Sequence, residues 1–182
     1  MQQISTGRSA AMELIPITTR SKYIIKMLNL YTILYGADPI QMQEQFTRHF
    51  QYPNFEGYFA VSDKKLIGFI YGYSSCKGQY YHELLWRHLN EKQNWMENCM
   101  ELAELGVHPE YRRCGIAQEL VKKLLEMRPE SKALLTTRKD NEAAIHFYKK
   151  TGWKELSDGF FPNVPYEYII FGREIPSSNE RV

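Results

Sequence analysis

One stretch restricts the fold more than any other. Met100 to Val107 reads as a strand. After it, Ile116, Leu120 and Leu124 recur every four residues with Val121 and Leu125 beside them, the pattern of an amphipathic helix. Arg128-Pro129 ends that helix, because proline disfavours helical backbone at the residue before it. The joint between strand and helix is Arg112-Arg113-Cys114-Gly115-Ile116-Ala117. The first N–H groups of a helix have no partner within it, and with the positive end of the helix dipole they bind phosphate. Gly115 lets a ligand approach the backbone, Ala117 is the next smallest residue, and two arginines add charge. The stretch predicts a pyrophosphate cradle. In isolation, the same residues more often make an ordinary turn with a solvated basic edge.

The flanking sequence is regular enough to place elements. Met12 to Thr18 alternates as a strand. Ser21 to Tyr35 has helical spacing at Ile24, Ile25, Leu28, Tyr31 and Leu34, with Ser21 as N-cap and Gly36 as stop. Asp38-Pro39 opens a second helix, with Gln41 placed for a capping box and Ile40, Phe46 and Phe50 facing inward. Gly57 to Ser62 and Leu66 to Tyr73 form a hairpin around Asp63-Lys64-Lys65, and Gly68 and Gly72 mark a bulge or a close approach. Ser74 to Asn98 is longer than a turn requires. Tyr81, Leu84, Leu85, His88 and Leu89 make one apolar stripe on a helix there, with Glu83 and Arg87 spaced to pair. Its aromatic residues suit a substrate wall, and equally a cover helix or a dimer face. Lys132 to Thr137 is a short strand. Asp140 or Asn141 caps a helix over Glu142 to Lys150, which Gly152 ends. Trp153 to Leu156 and Tyr166 to Phe171 are late strands around a loop whose Phe160 and Phe161 border a pocket.

This order predicts an α/β fold in one domain over 11–175, with 1–10 as a flexible N-terminus and 176–182 as a flexible tail. At 182 residues the chain is long enough for a proper core, and 43% hydrophobic with 24% charged residues is ordinary for a soluble globular protein. A net charge of +2 argues against a dedicated nucleic-acid surface, and Lys122 and Lys123 read as the wet face of a helix. Three cysteines (Cys76, Cys99 and Cys114) do not suggest a disulfide framework. Met1 to Ala10 lacks the apolar region of a signal peptide, and no apolar run reaches transmembrane length. A cytoplasmic protein without membrane contact is the expectation. No spacing of histidines and cysteines fits a metal.

Two motifs then carry a resemblance. Leu105 to Ala117, with Arg112, Gly115 and Ala117 in a Q/R-x-x-G-x-G/A element, resembles the acetyl-CoA signature of the GNAT superfamily, the acetyl-CoA-dependent N-acetyltransferases. Cys114 departs from the small or basic residue commoner there. Asn141 to Trp153 resembles that family's second hallmark, N-x-x-A-x-x-F/L-Y-x-x-x-G-F/W. Read without the resemblance, that second stretch is a helix packed through Ile145 and Tyr148, with Asn141 only capping. The resemblance covers most of Met12 to Phe171. It implies the GNAT fold: a mixed, mostly antiparallel twisted sheet of about seven strands with helices on both faces, here with a helical insertion before the signature strand.

The resemblance also implies function. Acetyl-CoA would be the cosubstrate, with no metal. It would be held by Leu105, Gly106, Val107, Arg112, Arg113, Cys114, Gly115, Ile116, Ala117, Asn141, Ala144 and Tyr148. A primary amine attacks the thioester, the Val107 N–H polarises the carbonyl, and Tyr148 protonates the leaving sulfur as general acid or only positions it by a hydrogen bond. Glu101 matches a position where some relatives carry a general base; Glu104 and a water chain are the alternatives, and a solvated or salt-bridged strand glutamate is an equal reading of either residue. In a regular strand the two glutamates, three apart, point to opposite faces unless a bulge intervenes. The expected acceptor is a small amine, with a protein N-terminus or lysine as the alternative within the class and a non-catalytic acyl-CoA-binding module outside it. Tyr31, Tyr35 and Trp86 are the candidate substrate contacts, and residues of this kind are more often core than contact. Dimers are common among relatives, which leaves a homodimer open.

Overall fold

The computed structural model describes residues 11–176. The segments expected to be flexible, 1–10 and the end of the tail, lie outside the described residues. Seven strands form one sheet in the order β1-β2-β3-β4-β5-β7-β6. They are β1 (Glu13–Pro16), β2 (Glu56–Ser62), β3 (Lys65–Ser74), β4 (Cys99–Val107), β5 (Lys132–Arg138), β6 (Lys154–Glu155) and β7 (Tyr168–Glu174). Every pairing is antiparallel except β4 with β5. The helices are α1 (Ile24–Tyr35), α2 (Pro39–Phe50), α3 (Tyr80–Leu89), α4 (Ile116–Leu125) and α5 (Glu142–Lys150).

Strand alternation divides the core into two faces. On one face, α4 and α5 cover Ile70, Met100, Leu102, Ala133, Leu135, Ile169 and Phe171; Leu120 and Leu124 of α4 are fully buried there. On the other face, α1 and α2 cover Phe59, Phe69 and Tyr71. The remainder of that second face, around Cys99, Leu134 and Ile170, is covered by Leu84, Leu85 and Leu89 of α3 with Met96 of the 3₁₀ segment that follows. The insertion is therefore a cover helix. It buries sheet surface that α1 and α2 do not reach.

Several local expectations need correction. Ile40 is 67% exposed, and Met42 takes the buried place on α2 beside Phe46. Asp38 does cap α2, accepting the Ile40 N–H at 2.9 Å, which turns Ile40 outward at the first turn. Ser21 accepts the Tyr23 N–H one turn before α1 begins, so it closes the preceding turn and leaves the helix itself uncapped by a side chain. Glu83 does not pair with Arg87; its carboxylate accepts the Gly78 N–H at 2.9 Å ahead of α3. The hairpin turn has positive φ at Asp63 and Lys64, the conformation that matches strand twist in a two-residue loop. The last strand begins at Tyr168; Tyr166 lies outside it under the Arg138 guanidinium, 3.8 Å from its ring centre.

Candidate active site in the split between β4 and β5

The one parallel pair is short. It joins Cys99, Met100 and Glu101 to Lys132, Ala133 and Leu134, and stops. Beyond it, Leu102–Val107 pairs only with β3 and Leu135–Arg138 only with β7. The sheet opens into a wedge with Glu101 at its apex. The His108 N–H bonds back to Ile67 on β3 at 2.8 Å. By alternation, the N–H of Val107 and the backbone of Leu105 turn to the open side. Tyr35 donates its hydroxyl to the Leu105 carbonyl at 3.0 Å.

A bulge shapes the apex. Tyr71 faces Glu104 and Gly72 faces Leu102, so Ala103 has no opposite partner. Gly72 is required here: a Cβ would overlap the Glu101 carbonyl and lie 2.5 Å from Met100 Cε. The bulge also settles the glutamates. Tyr71 and Tyr73 share a face because they are two apart, and their register partners are Glu104 and Glu101. Both carboxylates therefore point to the face of α1, α2 and α3, where a regular strand would have separated them.

Glu101 is 3% exposed. It accepts the Tyr73 hydroxyl at 2.9 Å and the Ser75 hydroxyl at 2.6 Å. Burial raises its pKa, and these two bonds only partly offset that. Glu104 accepts from Tyr31 at 3.3 Å and from Gln45 at 3.0 Å. Burial pushes its pKa up to about 7 against the same kind of opposition. Tyr81 bonds to Thr136 across the wedge at 2.8 Å, and its phenol is raised first by burial and then by Glu101 among other charges.

At the mouth of the wedge, Pro109–Tyr111 make a single 3₁₀ turn and the chain then enters α4. Arg113 has φ 60 and Gly115 φ 80, both left-handed. Such backbone suits glycine and is strained at arginine. The first ladder bond of α4 runs from Glu119 N–H to Gly115 C=O, so the N–H groups of Ile116, Ala117 and Gln118 have no partner within the helix. A Cβ on Gly115 would meet nothing within 4 Å; the space beside this backbone is open. Arg112, Arg113 and Cys114 are exposed around it. The Ile116 side chain is buried in the core, so this residue offers a ligand only its backbone.

The second motif stands on α5. Asn141 accepts the Ala144 N–H at 3.2 Å, so it caps the helix through its oxygen while its amide N–H groups stay exposed. Ala144 and Ile145 pack on the core, and Tyr148 is buried against Trp153 and Phe171. The Tyr148 hydroxyl has no hydrogen-bond partner among the described residues. Burial above all, then Tyr35 and Glu104, raises its pKa, so it stays protonated. That influence also locates it: the phenol lies within electrostatic reach of Tyr35 and Glu104.

The structure thus brings Tyr31, Tyr35, Glu101, Glu104 and Tyr148 to one wedge. Trp86 is not among them; it is 42% exposed and stacks on His82 at 6.3 Å. Phe160 is buried beside His88, and Phe161 is exposed. The sequence reading missed Tyr73, Ser75, His82, Tyr81 and Thr136. A hydroxyl-bearing residue every second position, at Tyr71 and Tyr73 on β3 and Ser75 just after it, is the available signal. Among the described residues no group of three or more His, Cys, Asp or Glu could hold a metal, and no helix is long and apolar enough to cross a membrane.

The sheet thus opens at its parallel pair, beside a helix N-terminus that no side chain caps. Residues 24–153 match the Acetyltransferase (GNAT) family, and the chain belongs to that family. It is similar to a GCN5-like protein acetyltransferase of Mycobacterium tuberculosis, 27% identical over 127 residues that span 64% of this chain and 62% of that one. It is also similar to a peptidyl-lysine N-acetyltransferase of Escherichia coli, 36% identical over 76 residues that span 38% of this chain and 49% of that one. The chain thus spans less than two thirds of the length of either relative. Among solved structures, an E. coli N-acetyltransferase of a ribosomal-protein alanine superposes with a TM-score of 0.66 at 15% identity, over 94% of this chain and 99% of that one. An acetyltransferase from Staphylococcus aureus gives 0.67 at 15%, over 91% and 100%. At that identity the likeness is one of fold alone.

Proposed function

We propose that the protein transfers the acetyl group of acetyl-CoA directly to a primary amine, and that the amine belongs to a small molecule. The observation that carries the first part is the open backbone of Gly115 at the α4 N-terminus, beside the split sheet. The pyrophosphate would lie on the N–H groups of Gly115 to Ala117, with Arg112 and Arg113 adding charge. The pantetheine arm would run into the wedge along Leu105, Gly106 and Val107, past Asn141 and Ala144. The thioester carbonyl would then meet the Val107 N–H. The tetrahedral intermediate forms when nitrogen attacks that carbon, and its oxyanion is stabilised by the fixed N–H.

Tyr148 sits where the sulfur departs. Its raised pKa makes full proton transfer to a thiolate less favourable than for a free phenol, so its first role is a hydrogen bond that strengthens as negative charge grows on sulfur. Glu101 takes the ammonium proton as general base. Each of its oxygens accepts one internal bond and keeps a lone pair. Glu104 draws the ammonium in. A second assignment, with Glu104 as the base, is favoured by its partial exposure. Glu101→Gln and Glu104→Gln separate the two: the base variant loses kcat by about 100-fold, the other mainly raises the KM of the amine.

The small acceptor is supported by α3, which covers the sheet beside the wedge, and by the tyrosines and carboxylates that line it. A protein lysine is the competing acceptor, because both curated relatives are named for protein or peptidyl-lysine acetylation. Calorimetric titration of acetyl-CoA into wild type and Gly115→Glu tests the cofactor site; the carboxylate should abolish binding. Thiol release with a panel of aromatic amines, polyamines and lysine peptides then tests the acceptor. Turnover of lysine peptides alone would remove the small-molecule assignment. Tight binding without thiol release from any amine would make the protein an acyl-CoA-binding module.

A further inference from the structure

The wedge has a second polar connection, running away from Tyr148. The Ser75 hydroxyl donates to Glu101 at 2.6 Å, and the same oxygen lies 2.9 Å from His82 Nδ1. Ser75 follows the end of β3, Glu101 is on β4 and His82 is on the insertion helix α3. Three elements therefore converge to make one file of hydrogen-bonding atoms. A serine hydroxyl has a single proton. While Ser75 gives it to the Glu101 carboxylate, His82 must offer Nδ1–H to the serine oxygen. Its Nε2 then carries the lone pair.

The far end of the file reaches water. His82 is 8% exposed. Its Nε2 has no protein partner among the described residues. It is not sealed in, because the one buried, unpartnered side-chain nitrogen or oxygen among the described residues is Trp153 Nε1. Trp86 stacks on the ring and fixes its plane.

We propose that His82 and Ser75 form the proton outlet of the active site, carrying the proton that Glu101 takes from the amine to solvent across α3. The proposal rests on Glu101 as the base. The amine gives its proton to Glu101. The neutral carboxyl then donates to the Ser75 oxygen, the His82 ring loses its Nδ1 proton to water and takes one from water at Nε2, and the Ser75 hydroxyl turns to the lone pair left on Nδ1. Glu101 O–H breaks as a new serine O–H forms; the original serine O–H breaks as Nδ1–H forms. The imidazolium releases its Nε2 proton to water, and no charge or atom is left over. A buried carboxylate without such a path must wait for water to enter. This chain provides one in side chains, and its last member belongs to the insertion.

The surroundings suit that task. Burial holds the His82 pKa below its usual value, and only Glu83 opposes this, so the ring gives up the proton it receives. Cys99, beside Ser75, is pushed up to about 12 chiefly by burial and does not compete for the proton. Tyr73, bonded to Glu101, and Tyr81, bonded to Thr136, are both raised and stay neutral. His49, which packs on Tyr73 from α2, is lowered to about 4 by burial and is also neutral.

Ring ¹⁵N NMR tests the file without turnover. Wild type at pH 8 should show His82 as the Nδ1–H tautomer. Glu101→Gln supplies an N–H to Ser75 and should switch His82 to Nε2–H, and Ser75→Ala should remove the preference. Kinetics test its use, with the amine that the panel turns over best. Ser75→Ala and His82→Gln should each lower kcat about tenfold with the KM of acetyl-CoA unchanged. Added imidazole should restore His82→Ala. A merely structural histidine would give no such rescue. An Nε2–H tautomer indifferent to Glu101→Gln, or full kcat in both variants, overturns the outlet. Full activity in Glu101→Gln would instead overturn the base assignment beneath it, and the two failures are distinct.

Discussion

Trp153 shows what one residue costs. Its indole packs edge-on against Tyr148 at 5.7 Å and is buried, yet its N–H has no partner. An unmet buried donor costs about 1–3 kcal/mol, comparable with what the extra ring contributes by burial. Trp153→Phe should therefore change unfolding free energy by less than about 1 kcal/mol in urea, far below the about 3–5 kcal/mol usual for deleting a large aromatic core side chain. Glu104 makes a pH-dependent contribution. Its pKa rises from 4.5 in the unfolded chain to about 7 in the folded one. Between those values the folded state holds a proton that the unfolded state has lost, so stability falls as pH rises through that window. With its partial solvent access the loss is about 2 kcal/mol. Glu104→Gln, which keeps the acceptor for Tyr31 and Gln45, should match wild type at pH 4.5 and exceed it at pH 8 by that amount.

At the scale of elements, α3 is attached to the sheet through few side chains. Leu85 is fully buried in the cluster with Leu134 and Ile170. Leu85→Ala should cost about 2–5 kcal/mol, or release α3 locally while the rest of the fold persists. Hydrogen exchange separates these: loss of protection confined to Tyr80–Met96 is the local outcome. The sequence showed α3 by its stripe of Tyr81, Leu84, Leu85 and Leu89, and showed α4 and α5 by period and motif. It did not show that His82, on the flank of that stripe, would matter, because His82 and Ser75 meet only after β3, β4 and α3 are assembled. The bulge at Ala103 was hidden for a similar reason. Nothing in Glu-Leu-Ala-Glu distinguishes a bulged strand from a regular one. Only Gly72, on the neighbouring strand, marked the place where two backbones come too close for a Cβ. In the sequence Arg128 marks only the end of a helix; in the fold it is a buried cation, 2.7 Å from Glu130 and bonded to the Asn54 carbonyl at 2.6 Å, tying the segment before β5 to that before β2. Such pairs are invisible until long-range contacts are known.

At the scale of the molecule, the wedge makes stability depend on occupancy. A ligand that binds only the folded chain stabilises it by RT ln(1 + [L]/Kd), about 2.7 kcal/mol at a hundredfold excess over Kd. Acetyl-CoA at that excess should raise Tm by several degrees, and Gly115→Glu should lose the increment, starting from an unliganded Tm lowered by the strain of a side chain at a left-handed position.

The short β4–β5 pairing has one more consequence. Leu102–Val107 and Leu135–Arg138 each present backbone donors and acceptors to a gap inside the sheet rather than at its rim. Sheet edges are usually blunted by charge or proline because they recruit any extended chain that arrives. Here two such edges must stay bare for a ligand to enter. Cellular acetyl-CoA would then act as a plug as well as a reactant, and a chain deprived of it would be the form most prone to self-association.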